Sequence, residues 1–386
     1  MGRFRSNRGA TARFAAGVAV AAALAGCTSK PPTVPAKAPT STADLDAALA
    51  GLYAQSGAQG MVVTVVQGDQ ATVRGFGRVH AADPAPPDGA TLVRLESISK
   101  LFASDLLAHL VIEGRAKLAD PLPAPPPKRR KVKDPPPPIT LLELATHTSG
   151  LPRVAPIDPT WDAAKSAQAR AAWLARTSKR DPPGAGALYS NIAFDLLGDR
   201  LAALAGAPYA EALKARVTGP LAMADTTASP TPAQCARLLD PDPARPPKPC
   251  VDQTGFAASG GLYSTANDIG LWLKGQLAAG VDKDPVRKVS QTAYIRRSAL
   301  KAAIGLDHAG PAEAIGLAWI EEAPTATHPL ILEKTGGGDG FLTYVVIDPA
   351  RRIGVFFAID KVGHGELTPL TQTANDLVGS LGRAAG

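Results

Sequence analysis

The order in which two kinds of segment follow one another constrains this chain most. Strand-forming runs lie near both ends, and helix-forming runs fill the middle. Met61 to Gln67 is a β-branched run, and Ala71 to Gly77 follows it across the turn residues Gly68 and Asp69, which is a hairpin pattern. Toward the C-terminus, Ile315 to Glu321, Phe341 to Asp348 and Ile353 to Ile359 read as strands, with Asp348-Pro349 as a turn and Pro369 to Leu381 as a closing helix. From Ser97 onward, Ile98, Leu101, Phe102, Leu106, Leu110 and Val111 recur with the spacing of one helix face, and Gly114 ends that helix. Leu141 to Ala145, Asn191 to Ala205 and Ala266 to Leu277 read as further helices. If the terminal strands share one antiparallel sheet, the helical middle is an insertion between them. The expected fold is therefore α+β and two-lobed, an antiparallel sheet flanked by helices with a large helical insertion. An α/β lobe takes about residues 44–95 and 312–386, a helical lobe takes about 96–311, and the site lies between them. A chain of 386 residues can bury a core of that size.

The start of the chain reads as an export signal. Arg3, Arg5, Arg8 and Arg13 precede an apolar run from Phe14 to Ala25, too short for the ~20 residues of a membrane-spanning helix. Leu24-Ala25-Gly26-Cys27 at its end resembles a bacterial lipobox, in which the cysteine is lipidated and becomes the new N-terminus. On that reading residues 1–26 are a lipoprotein signal peptide and Cys27 carries the anchor. Residues 27–43, rich in Pro, Ser, Thr and Lys, are a flexible tether to a catalytic domain over 44–386. The other reading is an ordinary secretory leader in which Cys27 is incidental. Thr28 stands where an Asp would suggest inner-membrane retention, so the expected placement is periplasmic and lipid-anchored, at the outer membrane.

Charge and cysteine use agree with export. The formal charge is +7, and four of those charges sit in the leader, leaving +3 (7 − 4), which makes no case for nucleic-acid binding. The basic run Lys128 to Lys133 lies between Pro125–Pro127 and Pro135–Pro138 and reads as a solvated, polyproline-stiffened loop. Besides Cys27 only Cys235 and Cys250 remain, flanking the Pro-rich stretch Asp240 to Pro249. An oxidising compartment would let them pair; the alternative is two separate buried thiols.

The residues that carry chemistry form a Ser-Lys arrangement. No serine sits in a G-x-S-x-G elbow, there is no H-E-x-x-H, and the six histidines show no metal-ligand spacing. Ser97-Ile98-Ser99-Lys100 opens the amphipathic helix, and positions i and i+3 share a helix face, so Lys100 lies beside Ser97. A serine hydroxyl needs a neighbour to remove its proton, and a desolvated lysine can do so. The pattern alone is weak, since Ser298-Ala299-Leu300-Lys301 also matches it. Order separates the two: only Ser97 precedes both Tyr189-Ser190-Asn191 and Lys334-Thr335-Gly336, each of which occurs once.

With S-x-x-K, Y-x-N and K-T-G in that order, the chain resembles the serine β-lactamase and penicillin-binding protein superfamily, in its class C-like branch. The likeness extends to Leu141 through Pro152, to Gly219-Pro220-Leu221-Ala222-Met223 and to Ala257 through Leu273, and runs from about Asp44 onward. Phe102-Ala103-Ser104-Asp105, the two cysteines and Leu306-Asp307-His308-Ala309-Gly310 resemble the AmpH-type D-alanyl-D-alanine carboxypeptidase/endopeptidases. The lipid anchor departs from that subgroup.

The resemblance implies a β-lactamase/DD-peptidase-like fold and a role for each matching residue. Ser97 attacks the carbonyl, and Lys100 and Tyr189 share the proton transfers. Asn191 meets Lys100 and the substrate amide, and Lys334 and Thr335 lie on the strand edging the cleft. The N–H groups of Ser97 and Gly337 form an oxyanion hole, and Gly336 and Gly337 let substrate approach the backbone. His147 reads as a packed histidine and is left out of the site. No cofactor and no metal is implied. The leading expectation is a serine DD-peptidase acting on peptidoglycan stem peptides, with β-lactams as ligands and the membrane reached through the lipid anchor. A β-lactamase or serine esterase is the second reading, and a non-catalytic penicillin-binding sensor the third.

Overall fold

The computed structural model describes residues 41–81, 84–123, 137–177, 182–240, 249–278, 283–338, 340–360 and 367–384. The leader, Cys27, nearly all of the expected tether and most of the basic proline-flanked loop lie outside the described residues.

Strands from the two ends of the chain do share one sheet. The N-terminal hairpin is β1 (Gly60–Gln67) and β2 (Gln70–Gly77). Later come β3 (Ile295–Arg296), β4 (Ala312–Ile315), β5 (Ile320–Glu322), β6 (Ile331–Gly338), β7 (Phe341–Asp348) and β8 (Ile353–Asp360). The order across the sheet is β2-β1-β8-β7-β6-β5-β4-β3, with every pairing antiparallel. Alternation along the strands feeds two cores. Met61, Val63, Val65, Phe357 and Ile359 face a first cluster with Leu45, Leu49 and Leu52 of helix α1 (Thr42–Ser56) and with Leu377 and Val378 of the C-terminal helix Leu367–Ala384. Val62, Val66, Phe356 and Ala358 face the helical lobe instead.

That lobe is built from α2 (Ser99–Ile112), α3 (Leu141–Ala145), α4 (Ala163–Arg176), α5 (Asn191–Ala205), α6 (Ala266–Leu277) and α7 (Pro285–Gln291). Local signals explain several boundaries. Thr140 and Glu143 form a capping box that starts α3, Ser190 caps α5 through the Ala193 N–H, and Gly206 closes α5 in the left-handed region at φ 66°. Helix α2 is deeply enclosed: every residue from Ser99 to Ala108 is buried. Its Asp105 is clamped from two other helices. One carboxylate oxygen accepts from Trp272 Nε1 (2.9 Å) and Gln276 Nε2 (2.7 Å) of α6, and the other from Arg287 of α7 (2.8 Å). Removing one partner of such a buried pair costs about 3–5 kcal/mol, so the first residues of α2 are held fast.

Three sequence expectations change. The run Ile315 to Glu321 is two strands, β4 and β5, joined at Ala318, which takes φ 63°. The edge strand β3 comes from within the stretch assigned to the helical lobe. Helix α1 starts at Thr42, just ahead of the expected domain boundary, with a capping box between Ser41 and Asp44. Of the two cysteine readings the pairing is the one found: Cys235 and Cys250 form a disulfide, with Cα atoms 5.7 Å apart.

Candidate active site

The turn that carries Ser97 is set by its neighbours. Ser97 lies in a 3₁₀ turn, Glu96–Ile98, that runs directly into α2, and Glu96 takes φ 51°, a conformation costly for a side chain of that size. Strand β6 presses against this turn. A Cβ on Gly336 would sit 2.1 Å from Thr343 Oγ1 and 2.7 Å from the Leu95 carbonyl, and one on Gly338 would sit 2.6 Å from Glu96 Oε2. Gly336 is therefore required for β6 to lie against the Ser97 turn, while at Gly338 the Glu96 carboxylate could give way. Thr343 Oγ1 also donates to the Leu95 carbonyl (2.9 Å), tying β7 to the same turn.

Ser97 and Lys100 meet as their i, i+3 spacing places them, and Tyr189 and Asn191, assigned from the family resemblance, lie with them. Lys100 Nζ donates to Ser97 Oγ (3.0 Å), to Asn191 Oδ1 (2.9 Å) and to the Ser259 carbonyl (2.5 Å), and Tyr189 Oη donates to Ser97 Oγ (2.5 Å). Ser97 is half-buried and so reaches the cleft, whereas Lys100 is fully enclosed. Burial lowers the Lys100 pKa to about 7; Asp195 and Glu96 pull it up and Arg153 pushes it down. A lysine with that value is neutral for a large part of the time near pH 7 and can then accept a proton. The rival pair, Ser298 and Lys301, is exposed on both members.

Tyr189 is held on several sides. Its N–H donates to the Ile304 carbonyl (3.0 Å), and the Asn191 N–H donates to the Arg153 carbonyl (2.7 Å). Three cationic side chains gather on its ring, with Lys100 Nζ at 4.9 Å, Arg153 Cζ at 4.9 Å and Lys334 Nζ at 5.2 Å from the centroid. Lys334 is buried, which lowers its pKa; its ammonium donates to the Thr335 carbonyl (2.8 Å) and forms no ion pair among the described residues. Thr335 is half-buried and lies opposite Tyr344 in the β6–β7 register. Gly337 lies opposite Leu342.

Several contributors were not picked out from the sequence. His147 is a packed histidine, as expected, but what it packs against is Tyr189, with ring centroids 4.5 Å apart. Its Nδ1 accepts from the Ser190 N–H (3.1 Å), and burial, with Lys100, Lys334 and Arg153 nearby, holds it neutral. Ser259 acts through its carbonyl, and Arg153 and Asp195 act through charge. None of these belongs to a local motif, although His147 and Ser259 lay in segments already singled out.

The comparisons with known proteins agree with this geometry. The family model described as Beta-lactamase matches residues 45–378. The chain is 36% identical over 342 residues to the D-alanyl-D-alanine-carboxypeptidase/endopeptidase AmpH of Escherichia coli K12, covering 86% of each chain. It is 37% identical to a crystal structure of a Beta-lactamase/D-alanine Carboxypeptidase from Yersinia pestis complexed with citrate, with a TM-score of 0.78 over 88% of this chain and 99% of that one. A class C beta lactamase from Rhodobacter sphaeroides shares the fold, with a TM-score of 0.67 at 24% identity over 86% of this chain and 97% of that one. The turn at Ser97, the buried lysine beside it and this likeness along most of the chain lead to one conclusion: the chain belongs to the beta-lactamase family and is a serine hydrolase.

Proposed function

We propose that the protein is a DD-peptidase that cleaves peptidoglycan stem peptides ending in D-Ala-D-Ala, and the corresponding cross-links, through an acyl-enzyme on Ser97. Neutral Lys100, with Tyr189 beside it, takes the Ser97 proton as Oγ attacks the scissile carbonyl. The proton then passes to the leaving amine as the amide C–N bond breaks. Water attacks the resulting ester by the reverse traffic, releasing the shortened peptide and restoring Ser97. The N–H groups of Ser97 and Gly337 are the donors assigned to the developing oxyanion. The name of the Escherichia coli relative supports this substrate class.

The observation that carries the reading is Lys334. A buried cation without an ion-pair partner among the described residues, 5.2 Å from the Tyr189 ring, suits a substrate that carries a carboxylate near its scissile bond. A stem peptide and a penicillin both do; a simple ester does not. Charge-assisted contacts of this kind contribute roughly 1.5–3 kcal/mol, or about 10- to 150-fold in rate when made in the transition state. Lys334→Ala should cost at least about tenfold in kcat/KM for D-Ala-D-Ala peptides and penicillins, and much less for a neutral nitrophenyl ester, at an unchanged melting temperature. Equal losses on charged and neutral substrates would turn the reading toward an esterase.

We also propose that the protein is exported and held at the outer membrane by a lipid on Cys27. The support is the sequence Leu24-Ala25-Gly26-Cys27 at the end of a short apolar run, together with the Cys235–Cys250 disulfide, a bond suited to an oxidising compartment. Cys27→Ser should leave the chain unprocessed at that position and shift it out of the lipid-modified fraction. A variant processed and fractionated like the parent would sink the anchor.

A further inference from the structure

Helix α5 carries three polar side chains at one-turn intervals: Asn191, Asp195 and Asp199. The outer two each meet a cation. Asn191 Oδ1 accepts from Lys100 at 2.9 Å, and Asp199 grips the Arg170 guanidinium of α4 through both oxygens, at 2.6 and 2.7 Å. Asp195 stands between them. It is 5% exposed, with the Ser259 side chain beside it, and its Oδ1 is buried with no hydrogen-bond partner among the described residues. A buried carboxyl with an unfilled oxygen is costly, and an apolar side chain would pack there without that cost. Ser259 lies at both groups: its carbonyl accepts from Lys100 Nζ (2.5 Å), and its hydroxyl, which donates to the Phe256 carbonyl (3.4 Å), is beside Asp195.

We propose that Asp195 is a positioning residue for the proton relay, the buried counter-charge that sets the pH at which Lys100 gives up its proton and can accept that of Ser97. The proposal rests on the acyl-enzyme reading above. Lys100 is faced by Asp195 from α5, Glu96 from the nucleophile turn, Arg153 from the loop after α3 and Lys334 from β6, with Tyr189 and neutral His147 beside it. Among these charges Asp195 pulls hardest toward the protonated lysine. Asp195 is in turn faced by Arg170, Asp199 and Lys100, and by the buried Tyr209 hydroxyl. Burial raises the Asp195 carboxyl to about 6, so it is mostly ionised over the range in which Lys100, at about 7, titrates. Withdrawing the negative charge lets Lys100 lose its proton at lower pH.

The test is the second-order rate of acylation by a fluorescent penicillin between about pH 5 and 9 in the wild type, Asp195→Asn and Ser259→Ala. In the wild type the rate should rise with pH and level off above about 7. In Asp195→Asn the acid limb should move down by about one pH unit, making the variant roughly several-fold faster than the wild type near pH 6. Ser259→Ala keeps the carbonyl but withdraws a hydroxyl dipole beside the Asp195 carboxyl, which favours the charged form, and should move the limb the same way by less. An unmoved limb, or a loss of equal size at every pH, gives Asp195 a purely structural role and overturns the proposal. If melting curves show that Asp195→Asn does not fold, Ser259→Ala decides by the same criterion. A wild type that is acylated without any acid limb removes Lys100 as the base, and the proposal with it. A wild type that no penicillin acylates overturns the acyl-enzyme reading itself.

Discussion

Ser97→Ala should take up no covalent label from a fluorescent penicillin, and its turnover of peptides, lactams and esters should fall by about ten-thousand-fold or more. Every donor that organises the nucleophile points at one atom. Lys100 Nζ and Tyr189 Oη lie 3.0 and 2.5 Å from Ser97 Oγ, and among the described residues no second hydroxyl is bracketed by those two groups. Alanine removes that atom and little else, because Ser97 is half-buried at a helix entrance and its side chain fills no core position. The control is Ser298→Ala, which leaves an exposed serine-lysine pair incomplete and should keep both labelling and turnover. In the wild type the mass of the penicilloyl group belongs on the peptide that contains Ser97. Label that persists in Ser97→Ala would place the nucleophile elsewhere and undo the assignment of the site. Label without turnover of any peptide, lactam or ester would mark a sensor.

Lys100→Arg should be nearly as damaging, for a different reason. The ammonium of Lys100 is enclosed among Ser97, Asn191 and the Ser259 carbonyl, and burial brings its pKa to about 7. Arginine keeps the positive charge but cannot give it up in this pH range. If Lys100 is the base, acylation should fall by about 10²- to 10⁴-fold, the usual contribution of a positioned proton acceptor. The sign of the pH dependence follows from which form works. Neutral Lys100 is scarce below pH 7 and predominates above it, so the wild-type rate climbs through that region. In the arginine variant the residual rate should lose that climb. A variant that keeps both the wild-type rate and its climb would move the role of base to Tyr189. Lys100→Met, checked by its melting curve, separates loss of the base from the bulk of the larger guanidinium.

Much of this site was legible because its geometry is local. Ser97 and Lys100 are fixed relative to each other by one helix turn, which spacing reads, and Tyr189 and Asn191 by the cap of α5, but the motif order and the Y-x-N resemblance were needed to put the two pairs together. Strand β6 was less legible as a strand. Its Glu333-Lys334-Thr335 and three glycines break the near-continuous apolar run that marks β1, β7 and β8, and only the K-T-G resemblance placed it. Ser259 and Asp195 were not legible at all. The first acts through a carbonyl that every residue possesses. The second acts because folding places α5 beside the loop after Phe256, a contact between segments some sixty positions apart in the sequence. The split of Ile315 to Glu321 into β4 and β5 escaped for a similar reason, since Ala318 adopts a left-handed backbone that its side chain does not announce.

The clamp on Asp105 has a consequence for how such a chain can diversify. The helix that begins just after the nucleophile is also the one fixed through α6 and α7, with its residues from Ser99 to Ala108 wholly enclosed. Drift in sequence cannot reposition the serine by small steps, because each step would disturb a charged contact in the middle of the fold. New substrate preferences are therefore open only to the walls around it: the loop that carries Arg153, exposed at its tip, and the segment around Gly305. Within one lineage, descendants with different specificities would share an immobile nucleophile and differ in the rim.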